Sequence, residues 1–349
     1  MKKVIAIVLC AVLLAVTAAG CSKSKSGPVA EISVFIWSEY LPQSVVDGFT
    51  EKYNVKVNVE TFSSIADMYA KVKSAPSGTY DVIDAADFYI QRLSGEGFLE
   101  QLDYANIPNS VNIEPGYLAR YFDPENLYSV PYLGGVATLC VNTDKVTKPI
   151  TSYADIFDPE FANSIVIIDD FRVIIGAINV MLGFDYNETD PAKLAQTEAK
   201  LMELKPNIKL LDSDSPKTAM INGETTIGLI YSAEIAIAMD EVPAIEVVFP
   251  TEGQYLFFDS LCVAKGSKNK EWSEKFINYI LDPEVSKGIV EVFPYTDPNK
   301  AAVALMDKAY LDNAAKNIPA EAIAKGLTPT DLEADTLQIY NDIWTKFTK

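Results

Sequence analysis

The sequence predicts an α/β protein of two lobes with a small-ligand cleft between them, and three observations carry that expectation. Short apolar runs alternate with helix-period segments from residue 31 to 93 in a βαβαβ rhythm, the pattern of a parallel sheet with helices on its faces. A second alternating unit spans 164–250, and the extended segments 128–142 and 255–264 join the two. With 349 residues, 49% of them apolar, the chain can bury two cores of ordinary domain size.

The elements follow in order. "EISVFIW" (31–37) reads as a strand, Ser44 to Tyr53 as an amphipathic helix, and "VKVNVETF" (55–62) as an alternating strand. Ser64 and Asp67 stand at capping spacing at the start of a helix reaching Lys73. "YDVIDA" (80–85) is a strand, and Phe88 to Leu93 opens a helix. A Pro- and Asn-rich stretch from Pro108 to Pro124 interrupts the rhythm, and "YSVPYLGGVATLCVN" (128–142) is extended with a bend expected at Gly134-Gly135. "SIVIID" (164–169) is a strand, and a helix follows from Arg172 to Leu182. The next helix runs to Leu204, with Asp190 as its cap and Pro191 in its first turn. "TTIGLIY" (225–231), "IEVVFP" (245–250) and "YLFFDSLCVA" (255–264) are strands, and Ala233 to Asp240 is a helix. Further helices are expected at 271–280, 283–292 and 331–347.

The first twenty residues do not read as fold. Lys2 and Lys3 precede an apolar run from Val4 to Val16, and the small residues 17–20 lead to Cys21. That run is shorter than the roughly 20 residues of a spanning helix, so it reads as an export leader. Small residues before a cysteine resemble the lipobox of bacterial lipoproteins, which implies lipidation at Cys21, although Ala18 stands where that motif usually carries Leu. The polar stretch after Cys21 reads as a tether. Cys140 and Cys262 both sit in apolar contexts, as buried structural cysteines do.

Composition removes whole classes of function. The chain has no histidine, which excludes Ser/His/Asp and Cys/His catalysis and imidazole metal sites; no metal or other cofactor is expected. A net charge of −19 with no basic stripe argues against nucleic acid and would steer cations inward.

Ligands of open α/β sheets gather beyond the carboxyl ends of the strands. Polar and aromatic residues recur there: Trp37, Ser38, Glu39 and Tyr40 after the first strand, Asp84, Asp87 and Phe88 after the third, Asp169 and Asp170 in the second unit, and Tyr231 with Glu234. Asp259 lies inside the apolar "FFDSL", where an unpaired charge would be expensive. Each has a plainer reading: Asp169-Asp170 as a helix cap, Trp37 and Phe257 as core aromatics, Asp84 as a turn residue, Glu234 as a helix-start charge. Together, carboxylates and aromatic rings suit an ammonium ligand, through charge-assisted hydrogen bonds and cation–π attraction of roughly 0.5–2 kcal/mol per ring. A carboxylate pair could also serve a glycosidase, and aromatics with carboxylates could bind a sugar, so both remain alternatives.

From "FIWSEY" through "MYAKVKSAPSGTYDVIDAADFYIQRL", "YFDPENLYSVPYLGGVATLCVNTDKV", "SYADIFDPEF", "NGETTIGLIYSAEIA" and "FFDSLCVAKGSKNKE" to "YTDPN", the chain resembles the periplasmic spermidine/putrescine-binding proteins of polyamine ABC transporters. The resemblance implies a type II periplasmic-binding-protein fold, whose lobes exchange strands and close by a hinge, here with crossings near Thr138 to Asn142 and Gln254 to Phe258. Expected boundaries are 1–20 for the leader, 21–30 for the tether, 31–139 and 258–302 for one lobe, and 140–257 and 303–349 for the other. It also implies a monomeric, lipid-anchored receptor, periplasmic or at the cell surface, that is not an enzyme and hands a polyamine to permease subunits. Within it Trp37, Ser38, Glu39 and Tyr40 match the family's aromatic-hydroxyl-acid-tyrosine element. Asp170, Tyr231, Phe257, Asp259 and Tyr295 match pocket positions, and Glu234 an acid of the putrescine-selective members. Val173, Ala86 and Phe88 depart from the spermidine pattern, with Asp87 placed to restore an acid; which amine is held stays open.

Overall fold

The computed structural model describes residues 27–212 and 215–349. The leader and Cys21 lie outside the described residues.

The N-terminal rhythm folds as read. Strands β1 (Ala30–Trp37), β2 (Val55–Phe62) and β3 (Val82–Ala86) are parallel neighbours, in register from Ala30 opposite Val55 to Trp37 opposite Phe62. Helices α1 (Gln43–Tyr53), α2 (Ile65–Ser74) and α3 (Asp87–Gly95) complete the unit, and the Ser64 hydroxyl accepts the Asp67 N–H at 3.3 Å to cap α2. The Pro- and Asn-rich stretch forms three short 3₁₀ turns between Tyr104 and Tyr117. It leads to β4 (Ser129–Asn142), all 14 residues of which are buried. No break occurs at Gly134-Gly135, which pair in register with Phe258 and Phe257; the irregularity falls at Pro131–Leu133, where proline offers no N–H to the ladder.

The second unit places β5 (Ile165–Ile167), β6 (Ile208–Leu211) and β7 (Ile227–Tyr231) in parallel, with α4 (Phe171–Met181), α5 (Pro191–Leu204), α6 (Lys217–Ile221) and α7 (Ser232–Glu241) around them. Asp190 caps α5 through the Ala192 N–H at 2.8 Å, with Pro191 at its first position. Strands β8 (Ile245–Val248) and β9 (Tyr255–Val263) run antiparallel to β4. The sheet order is β2-β1-β3-β9-β4-β7-β5-β6, with β8 also on β4, so the sheet is mixed rather than wholly parallel. Helices α8 (Lys270–Ile280), α9 (Pro283–Val292), three short helices between Lys300 and Ala324, and a final helix, Ala334–Thr348, complete the described chain.

Two apolar cores form on this one sheet. The first gathers Phe35, Phe49, Phe258 and Phe276; the second gathers Ile167, Ile174, Leu229 and Tyr340. On β4 the division falls between Val136 and Ala137, on β9 between Leu256 and Tyr255, and these four residues are cross-strand partners. The tail after residue 302, expected wholly in the second lobe, packs with both: Met306, Tyr310 and Ile318 join the first core, Ala315, Leu332 and Tyr340 the second. Its apolar residues come in runs too short to favour either lobe on pattern alone.

A third connection lies beside the β4–β9 pair. Leu327 exchanges main-chain hydrogen bonds with Gln254 and Leu256, both at 2.8 Å. Just beyond, Asp331 takes the Arg92 guanidinium at 2.6 Å and the Pro329 carbonyl accepts Tyr121 Oη at 2.6 Å, while the Thr330 carbonyl accepts Arg172 at 3.0 Å. These bonds join α3 and its neighbours to α4.

The entry to β4 depends on Asp123, 5% exposed, whose carboxylate accepts the N–H groups of Leu127, Tyr128 and Ser129 and the Ser129 hydroxyl at 2.8–2.9 Å. Asp123→Ala strands three main-chain donors and should cost about 3 kcal/mol, read as a lower urea midpoint at unchanged slope. Unchanged stability would show that the turn re-forms without its acceptor.

Candidate functional site

The site grows from the crossing. Period 2 along β9 puts Tyr255, Phe257 and Asp259 on one face, while Leu256 and Phe258 turn into the first core. Gly135 of β4 lies opposite Phe257, and a Cβ there would sit 2.7 Å from Phe257 Cζ and 2.8 Å from Ser232 Oγ. Glycine therefore lets the ring lie directly on the strand.

Asp259 is 4% exposed and accepts the Tyr40 hydroxyl at 2.7 Å. Tyr40 is held in turn by Tyr132, whose hydroxyl donates to the Tyr40 carbonyl. Aromatic contacts run on from there. Trp37 lies 6.4 Å from Tyr40, Tyr40 4.7 Å from Tyr295, Tyr295 6.5 Å from Phe257, and Phe257 5.7 Å from Tyr231, ring centre to ring centre. Tyr231 donates to Asp170 at 3.1 Å, and Asp170 also caps α4 through the N–H groups of Arg172 and Val173. Asp170 is thus both a cap and a member of the cluster.

The structure so brings together Trp37, Tyr40, Asp170, Tyr231, Phe257, Asp259 and Tyr295, from both lobes. The others stand differently. Ser38 and Glu39 are exposed in the turn after β1, Glu39 with a left-handed backbone at φ 60°. Glu234 is ion-paired with Lys217 at 2.8 Å. Phe88 packs on Tyr89 beneath the Arg172 guanidinium, 5.8 Å away. Asp87, also at positive φ (39°), is 1% exposed with one oxygen unpartnered. Asp169 accepts the Trp344 indole N–H at 2.8 Å.

Two residues were passed over. Tyr132 and Tyr255 look like ordinary strand aromatics in sequence. Asp84 is no turn residue: it lies inside β3, fully buried, with neither carboxylate oxygen at hydrogen-bonding distance and angle to a donor. Its signal was the one that marks Asp259, an acid within an apolar run.

Burial sets the electrostatics. It raises the Asp259 carboxyl to about 6, against the lowering effect of Tyr40 and Trp37. It raises Asp84 and Asp87 well above the usual carboxylate range, with the charge of Asp259 adding to both. The Tyr40 and Tyr231 phenols are pushed up by burial and by Asp259 and Asp170 respectively, so they stay protonated and donate to these acids. Among the described residues no group of three or more acids or cysteines is arranged to hold a metal ion. Buried, under-satisfied acids beside aromatic faces form a site for an organic cation.

A family model for bacterial extracellular solute-binding proteins matches residues 44–320. The chain is 33% identical over 330 residues, 94% of each partner, to the spermidine/putrescine-binding periplasmic protein of Salmonella typhimurium. Among solved structures, the spermidine/putrescine ABC transporter substrate-binding protein PotD of Streptococcus pneumoniae matches with TM-score 0.83 at 29% identity, over 91% of this chain and 98% of that one. The Tp0655 (TpPotD) lipoprotein of Treponema pallidum matches with TM-score 0.79 at 26% identity, over 91% and 99%. With two cores on one sheet, strands passing twice between them and a match of this extent, the chain belongs to the bacterial extracellular solute-binding proteins and has their two-lobed type II periplasmic-binding-protein fold.

Proposed function

We propose that the protein is the substrate-binding lipoprotein of an ABC importer, taking putrescine or spermidine into the interlobe cleft and delivering it to the permease. The observation that carries this is Asp259: a buried carboxylate that keeps acceptor capacity after Tyr40, inside a run of aromatic rings drawn from both lobes. The printed names of the relatives, spermidine/putrescine-binding proteins at 33% identity, support the amine over a sugar.

In this reading Asp259 holds one ammonium end, Trp37, Tyr40, Tyr295, Phe257 and Tyr231 pack the methylene chain, and Asp170 meets charge from the second lobe. Ser38 and Glu39 stand at the rim. Glu234 takes part only by exchanging Lys217 for the ligand, and Asp87 and Phe88 flank the Asp259 end. A ligand touching both lobes shifts them from open to closed by its differential affinity for the closed form. Export and lipidation at Cys21 tether the receptor, as a monomer, to the outer side of a bacterial membrane. No catalytic role is assigned to Glu39 or Asp259.

Calorimetry at low salt should show heat with putrescine or spermidine, and Asp259→Asn should weaken binding by about 10²-fold, since it removes one partner of a buried charge pair worth about 2–5 kcal/mol. Absence of heat with both amines removes the ligand assignment. Raising ionic strength should weaken an amine held by carboxylates and leave a sugar's binding unmoved. An affinity indifferent to salt would favour a neutral solute.

A further inference from the structure

Asp84 has no part in the reading above, yet its burial makes it costly to leave charged. It is fully buried, and neither oxygen has a donor at full hydrogen-bonding geometry, the Trp37 main-chain N–H being its one nearby donor. In the β3–β9 ladder Asp84 stands opposite Leu261 and Ala86 opposite Asp259. Asp84 and Asp259 are therefore diagonal neighbours on one face of the sheet, a relation that puts Cα atoms about 7–8 Å apart and carboxyl groups within reach of each other.

The groups acting on this pair come from every element packed against it. Asp259 acts from β9, Tyr40 from the turn after β1, Tyr132 from β4 and Cys262 from β9, with the Trp37 main chain partly offsetting the burial of Asp84. Asp87 adjoins them at the start of α3, where Arg120 reaches Asp87 but is absent from the groups acting on Asp84. Tyr295 and Tyr231 face Asp259 from the cleft side. None of the groups that act on Asp84 is a cation. Two carboxyl groups in apolar surroundings without a counter-charge cannot both ionise, and such a pair titrates as a unit holding one proton.

We propose that Asp84 is a positioning residue of the cation site: it and Asp259 share one proton in the free protein, and an ammonium group arriving at Asp259 displaces that proton to solvent. The inference rests on the ammonium reading of the site. The exchange balances: a carboxylic O–H bond breaks, its proton passes to the buffer, and the ammonium N–H groups take its place as donors to the carboxylate. One positive charge enters as one leaves, so the buried site carries the same net charge before and after.

The sign is fixed by the raised values of both acids. The pair keeps one proton as pH climbs past the Asp259 value of about 6, because burial and the charge of Asp259 hold Asp84 well above the free-carboxylate range. Affinity for an amine should therefore rise with pH across a window that opens near the free-carboxylate value of about 4 and closes only when Asp84 gives up the last proton. The stability of the ligand-free protein should fall over the same window, because the folded state binds a proton that the unfolded chain has released.

Putrescine is titrated calorimetrically at about pH 7.5, above the Asp259 value of about 6, in two buffers of different ionisation heat, whose difference counts the protons released per ligand. The native protein should release up to about one. Asp84→Asn, which cannot hold the proton and gives Asp259 an amide donor, should release close to none there and lose the pH dependence of affinity above the Asp259 value of about 6. Asp84→Leu should do the same without the amide, which separates proton sharing from hydrogen bonding. Equal heats in both buffers for the native protein, or undiminished release from Asp84→Asn, overturn the shared proton while leaving the amine site standing. No heat with putrescine or spermidine in any buffer overturns the amine site and this inference with it.

Discussion

Everything in this molecule depends on one antiparallel pair, β4 with β9. Two long strands lie side by side, each with one part in the first core and the rest in the second, and both change core at cross-strand partners, Val136 with Leu256 and Ala137 with Tyr255. A sheet that crosses between cores must present its change-over to whatever lies between them. The alternation of β9 then decides what is presented: Tyr255, Phe257 and Asp259 on the open face, Leu256 and Phe258 inward. The site is a consequence of where the strands cross, and the ring of Phe257 reaches it only because Gly135 opposite has no side chain.

The same placement creates an electrostatic problem at the site. Three acids, Asp84, Asp87 and Asp259, are each at most 4% exposed, and their main-chain and phenolic donors do not saturate them. Burial without compensation costs several kcal/mol per ion, so the acids must hold protons or admit a cation. Aromatic faces supply that cation with the remainder of its surroundings, since rings pack methylenes and attract positive charge without adding any. A neutral polyol could donate hydroxyls to the acids but would leave their charge uncompensated.

Much of this was legible in the sequence, for physical reasons that differ by element. Strands and helices with sustained period, such as β1, α2 and α5 with their capping residues, follow from local chemistry and appear where expected. Asp259 was legible because a carboxylate within an apolar strand has few tolerable fates. Asp84 carries the same signal, but the alanines and Asp87 that follow it imitate a turn before a helix, and only the β3–β9 register shows it beside Asp259. The ion pair of Glu234 could not be read, because its partner, Lys217, sits on a helix of five residues, too short to show a period. The antiparallel β9 between β3 and β4 could not be read either, since strand direction is set by long-range pairing that leaves no local trace. Nor does the tail beyond 302 declare which core it joins, because it touches both.

The two lobes also bring unequal chemistry to the cleft. Asp170, the acid of the second lobe, already accepts two helix N–H groups and the Tyr231 phenol, which leaves little of its lone-pair capacity free. On the first lobe Asp84 has only the Trp37 main chain nearby, at poor geometry, Asp87 has one oxygen free, and Asp259 has its one well-formed donor in Tyr40. The strongest unsatisfied attraction for a cation therefore lies on β3 and β9, and the second lobe adds mainly ring surface and one well-ordered acid. A cation settling first against β9 keeps the rest of its length available, and closure then follows from what the second lobe gains by covering it. Under the proposed function, such a division would make the charge at Asp259 decisive for capture and the rings of Tyr231 and Phe257 decisive for how far the lobes close.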